Sequence, residues 1–142
     1  MRIVIFGANG LTGRLLTRKA LDAGHTTFAV TRHPREFPFT DPLLAVAGAD
    51  VHDRRAVADV VAGADAVLST LGVPFTREAV DTYSAGTASI VAAMRAGNVD
   101  RLVVVSSVGA YPASGRTGAP IALRLVEPVI THTATKSVFT IM

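Results

Sequence analysis

The sequence predicts an α/β fold in which a parallel sheet is covered by helices on both faces. Three observations predict it: short runs of apolar residues without polar alternation, segments with helical spacing between those runs, and glycines or prolines at the junctions. Strands that alternate with helices in this way are typical of a doubly wound parallel sheet. A chain of 142 residues, 49% of them apolar, is long enough for one domain with a buried core.

One long helix and one loop separate the first three predicted strands along the sequence. Residues 3–6 form the first predicted strand, and residues 11–23 follow with helical spacing that ends at Gly24, a favourable residue after a helix C-terminus. Residues 27–30 form the second strand. A loop with three prolines then leads to the third strand at residues 43–47.

The second half of the sheet is predicted by the same signals. Asp53 can accept hydrogen bonds at the start of a helix that runs through residue 62. Residues 66–71 form the fourth strand, residues 77–96 a long helix, and residues 102–105 a fifth strand without a polar residue.

Composition excludes several classes of protein. The chain has no cysteine, which excludes disulfides, thiolate metal sites and cysteine nucleophiles, and we predict no metal site. The net charge of +3 comes from scattered arginines without a basic block, so we expect no nucleic-acid partner. The apolar run at residues 3–6 is too short for a signal peptide, and no segment approaches the roughly 18 apolar residues of a membrane span. We therefore expect a cytoplasmic protein without a membrane partner.

Residues 7–13 read GANGLTG, directly between the first predicted strand and the first predicted helix. In this setting Gly7 permits a tight turn, Gly10 lets the backbone approach a pyrophosphate, and Gly13 lets the helix pack closely on the strand. A glycine-rich turn without a ligand is the alternative, but the strand before and the helix after favour a dinucleotide site. The predicted contacts in this turn are Gly7, Asn9, Gly10, Leu11, Thr12 and Gly13.

The end of the second strand indicates which dinucleotide is bound. An NAD site usually has an acidic residue there, whereas residues 31–35 read TRHPR and no acid precedes Glu36. The guanidinium of Arg32 suits a 2′-phosphate, so we predict NADP(H) as the cofactor. Arg32 could instead be a solvated surface residue, which is the reading we favour for Arg35. Arg14, in the first turn of the first helix, could add charge near the phosphates or simply be exposed.

These motifs together resemble the atypical short-chain dehydrogenases. The matching segments are GANGLTG, GHTTFAVTR around strand two, AGADVHD after strand three, LSTLG after strand four and LVVVSSVGAY after strand five. They are most similar to the NAD(P)H-binding group that includes biliverdin reductase B (a flavin reductase) and the NmrA-like proteins. The resemblance covers about residues 1–112 and implies a Rossmann fold with NADP(H) across the C-terminal ends of the strands.

The resemblance also implies roles for residues outside the glycine-rich turn. Adenine would lie beside the residues after strand three, the riboses along the turn after strand four, and the nicotinamide near the serines after strand five. The implied cofactor contacts are Asp50, Val51, Ser69, Thr70, Leu71, Gly72 and Ser106, and the candidate catalytic residues are Ser107 and Tyr111. Plainer roles stay open: Asp50 could be only a turn residue, and Ser69 and Thr70 could only satisfy backbone groups.

Two departures from the family pattern affect function. Tyr111 is not followed by lysine four residues on, so the usual Tyr-x-x-x-Lys reduction of ketones is disfavoured. A flavin-like acceptor needs no such acid, and we predict an NADPH-dependent oxidoreductase acting on it. The alternative is a non-catalytic NADP(H) sensor of the NmrA-like type with a protein partner. The chain also continues only to residue 142, with a helix from about Ile121 and either a short sixth strand or a frayed tail at residues 138–142. We therefore expect a single domain over residues 1–142, either a minimal cofactor domain or a truncated one.

Overall fold

Five parallel strands with helices on both faces make up the described part of the molecule. The computed structural model describes residues 1–73 and 81–105. The elements, in chain order, are β1 (Arg2–Phe6), α1 (Leu11–Asp22), β2 (Thr26–Thr31), a short 3-10 helix (Pro34–Glu36), β3 (Leu44–Gly48), α2 (Arg54–Val61), β4 (Ala66–Ser69), α3 (Thr82–Ala96) and β5 (Leu102–Val104). The predicted fold class, a doubly wound parallel sheet, is confirmed.

The strand order of the sheet is β3-β2-β1-β4-β5, and every neighbouring pair is parallel. Strands β2 and β3 therefore lie on one side of β1, and the chain then crosses over to place β4 and β5 on the other side. Phe6 at the end of β1 is paired with Val30 on one side and Ser69 on the other. Ligands in sheets of this kind collect at the C-terminal ends of the strands on either side of such a reversal.

Two apolar clusters, one on each face, hold the helices to the sheet. Helices α2 and α3 cover one face, where Val4, Phe6 and Val67 are fully buried with Val57 and Ile90 of the helices. Helix α1 covers the other face. Its buried Ala20 packs in a cluster with Ile3, Ile5, Ala8 and Ala29. Because β1, β2 and β4 are covered on both faces, their central residues are apolar, which is the pattern that predicted them.

The structure differs from the sequence prediction mainly at element ends. The 3-10 helix at Pro34–Glu36 was not expected, although Pro34 at its first position favours such a turn. Strand β4 ends at Ser69, two residues before the predicted end. Helix α3 begins at Thr82, with Asp81 as its N-cap residue, five residues after the predicted start at residue 77. The described residues contain no helix that is long and apolar enough to cross a membrane.

Several predictions fall on residues outside the described ranges. These are the start of the predicted helix at residues 77–80, the cofactor contact Ser106, the candidate catalytic residues Ser107 and Tyr111, the helix from about Ile121, and the sixth strand at residues 138–142.

Candidate dinucleotide-binding cleft

Two of the three glycines in the turn after β1 occupy places where a side chain has no room. Gly7 has a φ of +73°, and a Cβ built on it would lie 2.6 Å from the carbonyl oxygen of Thr70. A Cβ on Gly13 would overlap the carbonyl oxygen of Gly7 and lie 2.7 Å from Cα of Ala8. Gly7 therefore allows the left-handed turn beside β4, and Gly13 lets α1 approach the turn.

Gly10 differs from these two glycines because it borders open space. It is the N-cap residue of α1 with extended backbone angles, and among the described residues an added Cβ would meet only the carbonyl oxygen of Gly7, at 3.3 Å. No side chain caps the helix at this residue, and the first turn contains no acidic residue. The first amide groups of α1 are thus left to be satisfied by water or by an anion. An open approach at Gly10 and uncapped amides are what a bound pyrophosphate requires.

A cleft of about 680 Å³ opens at this point, above the C-terminal ends of β1 to β4. Its volume is in the range of small-molecule and cofactor sites. The lining residues are Phe6, Gly7, Asn9, Gly10, Leu11, Thr12, Val30, Thr31, Arg32, His33, Ala49, Asp50, Val51, His52, Thr70, Leu71, Gly72, Val73 and Thr82. The cleft therefore brings together predicted cofactor contacts from separate sequence motifs. Gly7 and Gly72, for example, are 65 positions apart in the sequence.

The end of β2 lines the cleft with cationic and neutral polar side chains. Arg32 and His33 are both exposed, and Thr31 is buried. The hydroxyl oxygen of Thr31 accepts a hydrogen bond from the backbone N–H of His33 at 3.2 Å, which fixes the turn out of the strand. Arg35 lies in the following 3-10 helix and is not a lining residue. Arg32 thus lines the cleft and Arg35 does not, and the contact of Arg32 with a 2′-phosphate stays a prediction.

The turn after β3 combines a structural carboxylate with a buried wall. Asp50 lines the cleft, and its Oδ1 accepts a hydrogen bond from the backbone N–H of His52 at 2.9 Å. The plainer role considered for Asp50, that of a turn residue, is therefore present in the structure. Val51 is buried against α3, where a Cβ on Gly86 would lie 2.9 Å from it and 3.0 Å from Leu71. The close approach at Gly86 brings Val51 and Leu71 together as an apolar wall.

The turn after β4 joins the cleft to the glycine-rich turn. The Thr70 hydroxyl donates to the carbonyl oxygen of Phe6 at 3.0 Å and lies 3.3 Å from that of Gly7. Thr70, Leu71 and Gly72 line the cleft. Ser69 is not a lining residue, since it is only 1% exposed, and its buried hydroxyl has no hydrogen-bond partner among the described residues. A ribose contact by Ser69 stays a prediction.

Sequence reasoning missed several lining residues. His33 follows Arg32 directly and could have been assigned to the same turn, whereas Thr82 lies at the start of α3 and carries no motif. His52 was also missed. Its Nε2 lies 3.7 Å from the carboxylate of Asp81, and both side chains are substantially exposed. This contact joins the β3–α2 turn to the start of α3 beside the cleft.

The fold, the glycine-rich turn and the cleft define a nucleotide-binding protein of the Rossmann type. A family described as NAD(P)H-binding matches residues 7–136, which is most of the chain. The chain belongs to this NAD(P)H-binding family. The expected resemblance to the atypical short-chain dehydrogenases is thereby confirmed, and the cofactor is a nicotinamide dinucleotide.

Relatives of known sequence share this domain within longer chains. A 2-alkyl-3-oxoalkanoate reductase from Stenotrophomonas maltophilia is 32% identical over 116 residues, which are 75% of this chain and 33% of that protein. Dihydroflavonol 4-reductase from Hordeum vulgare is 31% identical over 124 residues, 75% of this chain and 35% of the plant protein. An uncharacterized protein of Mycobacterium tuberculosis is 34% identical over 108 residues, but only 12% of its length is matched. The chain thus spans about a third or less of these relatives.

Solved structures have the same fold. The oxidoreductase ylbE from Lactococcus lactis superposes with a TM-score of 0.77 at 18% identity, over 96% of this chain and 61% of that one. A uronate dehydrogenase from Agrobacterium tumefaciens superposes with a TM-score of 0.68 at 23% identity, over 84% and 47% of the two chains. A mutant of the latter enzyme has been solved with NAD bound. At these identities the likeness concerns the fold.

Proposed function

We propose that the protein is an NADPH-dependent oxidoreductase that prefers NADPH to NADH. The observation that carries this preference is the end of β2, where Arg32 and His33 line the cleft and neither is a carboxylate. A carboxylate at this place accepts hydrogen bonds from the ribose hydroxyls of NAD, whereas an arginine suits the 2′-phosphate of NADP. Asp50 is the one acid among the described lining residues. It follows β3 and holds its own turn through His52.

The cleft fits such a cofactor at its phosphate end as well. The uncapped amides at the start of α1 would face the pyrophosphate, with Gly10 leaving the space that a side chain would fill. When bound, NADPH supplies a hydride from its nicotinamide ring. The turn of Thr70, Leu71 and Gly72 would support the riboses, and Val51 and Leu71 would offer an apolar wall to the adenine.

The acceptor we propose is a flavin or a related conjugated ring. Of the two tyrosines in this chain, Tyr83 is followed four residues on by Thr87 and Tyr111 by Gly115, so neither forms a Tyr-x-x-x-Lys pair. The hydroxyl of Tyr83 accepts a hydrogen bond from the backbone N–H of Val73 at 3.3 Å. Reduction of FMN needs no protein acid, because the hydride goes to the ring, a proton comes from water, and the products are NADP⁺ and reduced FMN.

The names of two relatives support a reduction. Both the 2-alkyl-3-oxoalkanoate reductase and the dihydroflavonol 4-reductase are named for a reduction.

The missing Tyr-x-x-x-Lys pair favours a second candidate, an NADP(H)-binding sensor that acts through a protein partner. Such a sensor would bind the cofactor without consuming it.

The experiment titrates the 142-residue chain with NADPH, NADP⁺, NADH and NAD⁺ and then adds FMN to the NADPH complex without oxygen. We expect NADPH to bind at least about tenfold more tightly than NADH, and its absorbance to decay when FMN is added. Equal affinities would overturn the proposed preference. Tight NADPH binding without turnover would favour the sensor.

A single variant tests the role of the aromatic hydroxyl in turnover. Tyr111→Phe should lower kcat with FMN only a few-fold, since no side chain serves as an obligatory acid in this proposal. A general acid typically contributes about 10²- to 10⁴-fold, so a loss of that size would restore a tyrosine mechanism. Ser107→Ala, measured in parallel, should also have a modest effect, through the orientation of the nicotinamide.

A further inference from the structure

Asn9 and Arg14 form a side-chain pair across the start of α1. Arg14 Nε and Nη2 both donate to Asn9 Oδ1, at 3.0 and 2.8 Å. Both side chains are partly buried. Asn9 lines the cleft, whereas Arg14 is not one of its lining residues. The amide of Asn9 therefore contacts the guanidinium of Arg14 and also borders the space in which the cofactor would lie.

This pairing determines which atom of the amide is offered to a ligand. A guanidinium carries donors and no acceptor, so the amide atom that it contacts twice must be the carbonyl oxygen. The Nδ2 group is the remaining end of the amide. Within residues 1–73 and 81–105 no acceptor is paired with Nδ2. Asn9 thus presents two N–H donors, and a donor is what a phosphate oxygen binds.

Arg14 occupies a position that a helix disfavours for a cation. It is the fourth residue of α1, inside the first turn, where the helix dipole favours negative charge. The same turn contains no acidic residue to offset it. Two hydrogen bonds to one oxygen hold the guanidinium there instead. An anionic ligand beside this turn would remove the unfavourable interaction with the dipole.

We propose that Arg14 is a positioning residue that holds Asn9 so that its amide nitrogen donates to the pyrophosphate of the dinucleotide. The proposal rests on the dinucleotide site proposed above and assigns it a specific donor. Because the pyrophosphate is common to both cofactors, the contribution of Asn9 and Arg14 is the same for NADPH and NADH. Arg32 contributes to NADPH alone, so the two effects can be measured separately.

A double-mutant cycle tests the proposal by dinucleotide titration of Asn9→Ala, Arg14→Met and the double variant. Each single variant should weaken NADPH and NADH alike by about tenfold, as expected for a lost hydrogen bond to a charged group. The double variant should bind no more weakly than Asn9→Ala alone. Arg18→Met is the matched control, since Arg18 lies one turn further along α1, over the ring of Phe39. It should change the affinity less than about twofold.

Two conservative variants separate positioning from a general effect on folding. Arg14→Lys retains one donor for Asn9 Oδ1 and should bind between the wild type and Arg14→Met. Asn9→Asp retains the acceptor for Arg14 but turns a second oxygen toward the phosphates. It should therefore lose about 100-fold in affinity for both dinucleotides while its thermal unfolding midpoint stays at or above that of the wild type.

Three outcomes would contradict these expectations. If Arg14→Met costs as much in the Asn9→Ala background as in the wild type, Arg14 acts on the ligand without Asn9 and the proposal is wrong. If the wild type binds a dinucleotide and Asn9→Asp binds it equally well, this inference fails while the proposed function stands. If the wild type binds neither NADPH nor NADH, both fail together.

Discussion

The two ends of the cleft are built from different parts of the chain. At the phosphate end the backbone forms the site, because Gly7, Gly10 and Gly13 bring main-chain atoms where side chains would otherwise stand. At the end of β2 the site is formed by the exposed side chains of Arg32 and His33. A side chain at Gly7 or Gly13 would disturb the packing of the fold, whereas Gly10 borders the open cleft and Arg32 and His33 are exposed. We therefore expect substitutions at Gly7 and Gly13 to change both stability and cofactor binding, and substitutions at Arg32 to change cofactor choice alone.

The largest expected effect is at Gly13, where a side chain should disturb both the fold and the phosphate end of the cleft. In Gly13→Val the side chain would overlap the carbonyl oxygen of Gly7 and press on Ala8, and both contacts are with backbone. We expect a loss of about 3 kcal/mol in the free energy of unfolding, measured by urea denaturation, together with loss of dinucleotide binding. Gly72→Ala is the control for stability in the same cleft, since no atom of residues 1–73 and 81–105 lies within 4 Å of its added Cβ. Unchanged stability of Gly13→Val would show that α1 can retreat from the turn.

The next largest effect is a loss of dinucleotide binding in a variant that still folds. Gly10→Val places a branched side chain in the space that the pyrophosphate needs, while its Cβ meets only the carbonyl oxygen of Gly7, at 3.3 Å. We expect a folded protein with at least about 100-fold weaker dinucleotide binding. Circular dichroism and a cofactor titration on one sample measure both properties. Wild-type affinity in the folded variant would mean that the glycines serve packing alone.

A smaller effect, confined to one cofactor, is expected at the other end of the cleft. Arg32→Ala should weaken NADPH binding by on the order of 10- to 100-fold, because a hydrogen bond to a charged group contributes about 1.5–3 kcal/mol. NADH lacks the 2′-phosphate and should be nearly indifferent. Arg35→Ala is the matched control, since Arg35 does not line the cleft. Equal losses for the two cofactors would show that Arg32 shapes the loop and does not contact the phosphate.

The smallest expected effect concerns the exposed contact between His52 and Asp81. Asp81→Asn removes a pair whose atoms lie 3.7 Å apart and whose side chains are 43% and 75% exposed. Solvent screening leaves such a pair little energy, and we expect the free energy of unfolding to fall by at most about 0.5 kcal/mol. Urea denaturation at low and high salt measures the change. A loss several times larger would mean that this contact holds α3 in place.

The sequence predicted the strands and the glycine-rich turn well because their signals are local. A strand covered on both faces must be apolar throughout, and only a residue without a side chain fits beside Thr70 as Gly7 does. The cleft position of Arg32 was predicted for the same reason, since it follows β2 directly. These features are determined by residues that are neighbours in the chain.

The parts that the sequence did not predict depend on contacts between distant residues. Thr82 lines the cleft because α3 packs beside the turn after β3, where Gly86 approaches Val51. The pair of Asn9 and Arg14 spans the N-terminus of a helix, where the usual side-chain spacing within helices does not apply. No motif in the chain carries that information.

The contact of Thr70 with the turn after β1 also bears on when the cleft forms during folding. The Thr70 hydroxyl reaches the carbonyl oxygens of Phe6 and Gly7, which are 64 and 63 residues earlier in the chain. Contacts at such separation require a long loop to close and form after local turns and helices. A growing chain that has been made only through β3 already contains GANGLTG but lacks the strand against which that turn rests. We therefore expect competence to hold a dinucleotide to arise late in folding, with the pairing of β4 to β1.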